Sequence, residues 1–324
     1  MFVALALLAA VIEAAVGFPD RLFHAIGHPV TWMARVITWG DRRWNSDNDS
    51  EFQQRLQGMV LLLLLVVASL LAGLLIWRVL HLLLPAILAL VFTAVVASAL
   101  LAQRSLDSHV VAVADGLEAR GLAAGREAVA MIVGRDTKSL DEAGVCRAAI
   151  ESLAESFSDG VVAPLFWLVV AGLPGALAYK AINTADSMIG HKTWRYLHFG
   201  WAAARADDLV NLPASRLAAL WLVLGALLRP GLSASRALTT AWRDAGQHES
   251  PNAGWPEAAM AGALGVRLMG PRSYDGAQVD AAWMGDGRTI VTARDIRAAL
   301  SLYRTACGLQ IAVLVALLAL IWLV

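Results

Sequence analysis

Apolar residues in this chain fall in long unbroken blocks, not in the strict alternation of a half-buried strand. Three blocks, Met59–Trp77, Leu82–Ala102 and Gly308–Val324, carry no charge and approach the ~20 apolar residues that cross a bilayer as a helix. The first two are separated only by Arg78 to His81, which predicts a tight helical hairpin. A fourth block, Met1–Phe18, lacks a basic start and contains Glu13. It reads as a retained first helix that stops at Gly17-Phe18-Pro19, not as a cleaved signal. Two weaker blocks are residues 161–181 and 212–228. The first is broken by Pro164 and Gly172-Leu173-Pro174-Gly175, the second carries Arg216 and is short for a span. Both are expected to be re-entrant or surface-lying helical segments.

The expected fold is therefore all-α: a polytopic integral membrane protein with about four clear transmembrane helices and a helical, cytoplasmic or re-entrant central region. Its parts are an N-terminal membrane region (1–102), a polar catalytic region (103–307) and a C-terminal transmembrane helix (308–324). Arg21, Arg35, Arg42, Arg43 and Arg55 follow the first helix, and many basic residues lie between Arg104 and Arg304. By the positive-inside rule both stretches face the cytoplasm and both termini face outward. Trp32, Trp39 and Trp44 read as interfacial anchors.

Composition agrees: of 324 residues, 58% are hydrophobic and 16% charged, with a mean hydropathy of +0.61. The 26 Lys and Arg balance the 26 Asp and Glu, so no basic surplus exists to neutralise phosphates and nucleic acid is excluded as a partner. Cys146 and Cys307 have neither metal nor disulfide-framework spacing and read as packing residues.

Polar residues cluster in four places. Glu151, Glu155 and Asp159 recur at i, i+4 and i+8 and on a helix line one face, with Arg147 a turn earlier. A solvated acidic face would explain the row, but Asp159 stands against Val161-Val162-Ala163, where a carboxylate at the membrane edge marks function. Asn183, Asp186 and Ser187 within about a turn suit a hard cation or a phosphate held through it; an interhelical hydrogen-bond cluster is the alternative. Asp207 and Asp208 follow, with Asn211 a turn on, and neighbours on a helix point ~100° apart, so one of the pair faces inward. His248-Glu249-Ser250-Pro251-Asn252 leads through Gly254-Trp255-Pro256 to Glu257 in a rigid polar loop, which a capping role for Glu257 explains only in part. No P-loop, G-x-G-x-x-G, zinc or G-x-S-x-G signature occurs; Gly190-His191-Lys192-Thr193 matches only a P-loop's end.

These segments, in order over nearly the whole chain, resemble the adenosylcobinamide-phosphate synthase (CobD/CbiB) family of cobalamin biosynthesis. The resemblance rests on Gly27-His28-Pro29-Val30, on Met131-Ile132-Val133-Gly134-Arg135-Asp136-Thr137, and on Glu155-Ser156-Phe157-Ser158-Asp159-Gly160. It continues through Tyr179-Lys180-Ala181-Ile182-Asn183-Thr184-Ala185-Asp186-Ser187-Met188, Phe199-Gly200-Trp201, Asp207-Asp208 and Ser250-Pro251-Asn252-Ala253-Gly254-Trp255-Pro256-Glu257. The family commonly has Asn where Ser156 stands and an acidic-Pro-Pro turn where this chain has Phe18-Pro19-Asp20; neither departure removes a carboxylate.

The resemblance implies an acid–amine ligase of the inner membrane with its site on the cytoplasmic side. It would join aminopropanol, or its phosphate, to the propionate carboxylate of adenosylcobyric acid, with ATP as substrate and Mg²⁺ as metal. Other cobalamin-assembly enzymes are expected partners beside the lipid bilayer. Amide formation of this kind needs a neutralised triphosphate and a base for the amine. The metal and phosphate environment is assigned to Asp159, Asp186, Asp207 and Asp208, and the base to Glu155 or His248. Arg135, Asp136, Ser158, Asn183, Ser187, Asn252 and Glu257 are the candidate substrate and phosphate contacts. An AmpE-like membrane sensor and a corrinoid transporter are the alternatives; a sensor has no need of clustered carboxylates, and the clean spans are few for a carrier.

Overall fold

The structure is a computed structural model that describes residues 1–134, 136–270, 272–274, 277–279 and 282–323. In chain order the helices are α1 (Phe2–Val16), α2 (Asp20–Ile26), α3 (Pro29–Trp44), α4 (Glu51–Leu83), α5 (Ala86–Ser98), α6 (Gln103–Arg120) and α7 (Leu122–Val129). There follow α8 (Glu142–Phe157), α9 (Ala163–Ile189), α10 (Trp201–Leu227), α11 (Ala234–Asp244), α12 (Gly254–Leu264) and α13 (Ala293–Leu323). Strand is confined to two antiparallel ribbons, β1 (Leu268–Met269) with β4 (Trp283–Met284) and β2 (Arg272–Tyr274) with β3 (Ala277–Val279).

Among the described residues five helical stretches are long and apolar enough to cross a membrane: Glu51–Leu83, Ala86–Arg120, Glu142–Ile189, Trp201–Leu227 and Ala293–Leu323. Phe2–Val16 and Arg21–Trp44 pass the same test only together, as a pair bent by 107°. The chain is an all-α, polytopic membrane protein, as its hydropathy predicts. Helices dominate because a backbone in hydrocarbon must satisfy its own N–H and C=O groups.

Two boundaries differ from the expected ones. The break between the first two long spans is not at Arg78–His81, since α4 continues to Leu83 and the chain turns at Leu84-Pro85. Arg and His are compatible with helix, whereas Pro85 forces Leu84 out of the α region, to φ −123° and ψ 151°. Residues 212–228 are not a short segment but the second half of α10, which spans 27 residues; Asp207, Asp208 and Asn211 masked the first half in hydropathy. Residues 161–181 are helical on either side of Gly172, whose non-helical φ of 64° and ψ of −160° divide α9 into two helices across a kink, as the break at Gly172–Gly175 predicts.

The chain forms two compact units. The first comprises residues 1–102, 163–211 and 314–324. In it α4 packs along α9, and α1 packs on α5 and α9. Close approach is set by glycines: a methyl on Gly58 would overlap the Phe199 carbonyl, and one on Gly73 would meet the Pro174 backbone. Small residues at contacts are the usual means of association where lipid offers no hydrophobic drive between helices.

The second unit comprises residues 103–162 and 212–313. Here α8 is deeply buried, with Val145, Ile150, Leu153 and Phe157 fully enclosed, and it packs on α6, α7 and α12. Phe157 meets the Tyr303 ring edge-on at 5.4 Å, and the Tyr303 hydroxyl donates to the Gln103 carbonyl at 2.8 Å. Two buried carboxylates pin loop backbone in this unit. Glu151 accepts the N–H of Met269 at 2.7 Å, and Met269 is a non-glycine residue held at φ 58°. Asp244, at the end of α11, accepts from Gly285 N–H at 2.8 Å and from Arg243 through two N–H groups at 2.6 and 2.8 Å.

The Arg243 contact holds the Asp244 carboxyl below its ordinary range, outweighing burial, which pushes the other way. The stability it contributes is therefore complete at neutral pH and is lost as pH falls from ~4 through the depressed folded value. Asp244→Asn is expected to cost about 1–3 kcal/mol at pH 7 and to flatten the acid limb of the unfolding midpoint measured against pH in detergent. A variant with an unchanged acid limb would show that the loop is held by other contacts.

Candidate functional site

In the first unit the centre of polarity is Asp207. This side chain is buried on α10, and both of its carboxylate oxygens accept amide N–H groups, from Asn183 of α9 at 3.3 Å and from Asn211 one turn along α10 at 2.9 Å. A second tier orients those amides: the Tyr179 hydroxyl donates to Asn211 Oδ1 at 3.0 Å, and Lys180 Nζ donates to Asn183 Oδ1 at 3.4 Å. With each amide oxygen occupied by a donor, each amide nitrogen faces Asp207, so the network has one consistent direction.

Around this core the other expected residues are placed differently. Asp208 is half-buried and pairs with Arg205 at 3.1 Å, so the two adjacent aspartates face different surroundings as helix geometry requires. Asp186 is half-buried and Ser187 exposed, and the Ser187 hydroxyl bonds back to the Asn183 carbonyl at 2.8 Å. Asn183 thus belongs to the interhelical cluster, while Asp186 stands a turn further along α9.

In the second unit the expected carboxylate row is broken. Glu151 is buried on Met269, whereas Glu155 is exposed. After Phe157 the helix widens into a π-turn, Ser158–Val162, which removes Asp159 from the i+8 position an α-helix would give it. The correction has a plain cause: a π-turn inserts a residue into the helical count. Such turns are frequent at functional sites, and here the buried Ser158 hydroxyl has no hydrogen-bond partner among the described residues. Asp159 next to it is half-buried.

The His248–Glu257 stretch is built on α12, which begins at Gly254, so Pro256 and Glu257 sit in its first turn. Ser250 N–H donates to His248 Nδ1 at 2.9 Å, and the Ser250 hydroxyl accepts from the N–H groups of Asn252 and Ala253. With Nδ1 accepting, a neutral His248 carries its proton on Nε2, which faces the buried Glu257 carboxylate at 3.7 Å. Asn252 is buried, and its Oδ1 accepts from Arg216 at 2.7 Å and from the Ser215 hydroxyl at 3.1 Å. The Arg216 guanidinium also lies 4.9 Å from the Trp255 ring centroid.

Asp136 is exposed and caps its own turn, accepting Lys138 N–H at 2.9 Å. Arg135 lies outside the described residues. Among the described residues no group of three or more His, Cys, Asp or Glu side chains is placed to hold a metal.

Lys180, Tyr179, Ser215 and Arg216 were not among the residues expected at the site. Arg216 had a signal in the sequence, a cation in an otherwise apolar block; the π-turn had none.

Comparison with known proteins bears on what these two clusters serve. Residues 6–303 match the family described as CobD/CbiB protein. The chain belongs to the CobD/CbiB family. Among similar CobD/CbiB members, a protein of Sinorhizobium sp named cobalamin biosynthesis protein CobD is 53% identical over 93% of each chain. One of Rhizobium meliloti (strain 1021), with the same name, is 50% identical over 94% of this chain and 93% of its own. One of Rhodobacter capsulatus, again so named, is 46% identical over 99% of this chain and 98% of its own. No solved structure matches.

The Asp207 network makes a contrast that can be measured. Asp207→Asn sets an amide N–H against amide donors and is expected to cost about 1–3 kcal/mol, read as a lower unfolding midpoint in detergent. Asp208→Asn removes the pair with Arg205, whose side chain is largely exposed, and should cost within about 1 kcal/mol. Equal losses would show that Asp207 is no more than a surface charge.

Proposed function

We propose that this CobD/CbiB member, which acts in cobalamin biosynthesis, is an ATP-dependent acid–amine ligase of the inner membrane. In this reading it condenses the propionate carboxylate of adenosylcobyric acid with aminopropanol or its phosphate. The observation that carries the reading is that a chain of this family buries Asn183, Asp207, Ser158, Asn252 and Glu257 in largely apolar surroundings. Buried polar groups in membrane helices are costly and are kept for use.

The chemistry is an activation followed by a transfer. The propionate oxygen attacks the γ-phosphorus of ATP and releases ADP, forming an acyl phosphate. The neutral amine then attacks the acyl carbon, loses a proton and expels phosphate. Mg²⁺ bound to ATP neutralises triphosphate charge. Asp186 and Asp208 are the carboxylates of the first unit offered to that ion, and Asn183 with Lys180 orients beside them. Of the two candidate bases, Glu155 is exposed, whereas the Nδ1 of His248 already accepts Ser250 N–H. Asn252 and Arg216 present donors to substrate amide or phosphate oxygens.

Purified protein in detergent, given adenosylcobyric acid, ATP, Mg²⁺ and either amine, should yield a corrinoid heavier by one amide condensation, dependent on ATP. Asp186→Asn should lower turnover by at least ~10²-fold while expression is unchanged. Absence of product with both amines, while corrinoid still binds, would favour a sensor or transporter.

A further inference from the structure

α3 is an amphipathic helix with one face tightly held and one left open. His28 Nδ1 accepts Val30 N–H, and the Thr31 hydroxyl accepts His28 N–H, fixing the start of the helix. On the inner face Met33, Ile37 and Gly40 are buried, Gly40 against Leu61 of α4. Asp41 on the same face accepts from Arg195 at 3.0 Å and from Asn45 at 2.9 Å.

The open face has two rows. At 100° per residue Thr31, Arg35, Thr38 and Arg42 fall along one line, and Trp32, Val36, Trp39 and Arg43 along the next. Thr31, Arg35, Thr38, Trp39, Arg42 and Arg43 border a recess of ≈ 640 Å³. Trp32 and Trp39 are 46% and 54% exposed, and Arg35, Arg42 and Arg43 are exposed. Among the described residues none of these three arginines has a carboxylate partner, whereas Arg195, Arg243, Arg288, Arg297 and Arg304 each pair with one. The chain turns by 107° between Phe2–Val16 and Arg21–Trp44, so the segment holding α3 runs across the direction of α1, not along it.

We propose that the outer face of α3 is a binding site for anionic phospholipid, with the helix lying in the membrane interface. The guanidinium row meets headgroup phosphates, which match its paired N–H donors. The indole row lies beside it at headgroup depth, where amphipathic aromatic rings are favoured. The pairing of an uncompensated cationic row with adjacent tryptophans argues for a lipid over a soluble anion, which would have no use for the indoles. The site is independent of the ligase reading and stands on unit-one geometry alone.

The test is lipid retention by the delipidated full chain in neutral detergent, counted by native mass spectrometry with phosphatidylglycerol or phosphatidylcholine added. The wild type should favour phosphatidylglycerol by about tenfold or more. R35Q/R42Q/R43Q should bring the two lipids to near parity with an unchanged unfolding midpoint, and R35K/R42K/R43K should keep most of the preference. Three results would overturn the proposal: no preference in the wild type, a wild-type preference in the folded glutamine variant, or displacement of the lipid by inorganic phosphate. If the triple glutamine variant does not fold, the single variants R35Q and R43Q decide the matter: each should lose part of the preference, and an undiminished preference in both overturns the proposal.

Discussion

Asp207 places a carboxylate on a helix apolar enough to cross a bilayer, and that is tolerable only if both oxygens find donors. Asn183 and Asn211 supply them, and Tyr179 and Lys180 hold those amides the right way round. Because Asn183 sits on α9 and Asp207 on α10, the bonds fix how these two helices are rotated toward one another within the first unit. Asp186, a turn beyond Asn183, stays only half-buried in that arrangement, while Asp208 pairs with Arg205 of its own helix. The polar face available to chemistry is thus a by-product of satisfying one buried charge.

Such hydrogen bonds require the helices to come close, and glycine permits it. Gly58 lies against the Phe199 carbonyl and Gly73 against Pro174. Gly172 serves a different end: its positive φ lets α9 bend where the ring of Phe2 lies against it. In lipid, where apolar side chains gain little from burial against one another, this kind of fit does much of the work a hydrophobic core does in water.

The second unit solves the same problem at its loops. Glu151 and Asp244 use charge to hold backbone N–H groups, and the Ser250 hydroxyl and His248 ring fold the Ser250–Trp255 turn onto itself. Arg216 then has three partners, the Asn252 side-chain oxygen, the Ser215 hydroxyl oxygen and the face of Trp255. A cation so held is rigid, and rigid donors are what a binding site for an anionic group needs. Membership of the CobD/CbiB family ties the chain to cobalamin biosynthesis; the geometry shows which of these groups are held and by what.

Much of this was legible along the chain. Membrane insertion follows from composition, because long uncharged blocks have one favourable environment, and the family follows from the order of polar motifs. The bend at Gly172 was visible too, since Gly and Pro act through their own backbone. What the sequence misplaced depended on partners distant in sequence. The first half of α10 read as polar because Asn183 and Tyr179 lie some thirty residues away along the chain. The carboxylate row of α8 read as one set because nothing local announces that Met269 N–H engages Glu151 or that a π-turn begins at Ser158. Local backbone preference and hydropathy thus determined the class of fold, its lipid setting and the identity of its polar residues. Which of those residues are spent on holding helices and which remain for chemistry was decided only by tertiary structure, because a hydrogen bond belongs to two groups and the sequence shows them one at a time.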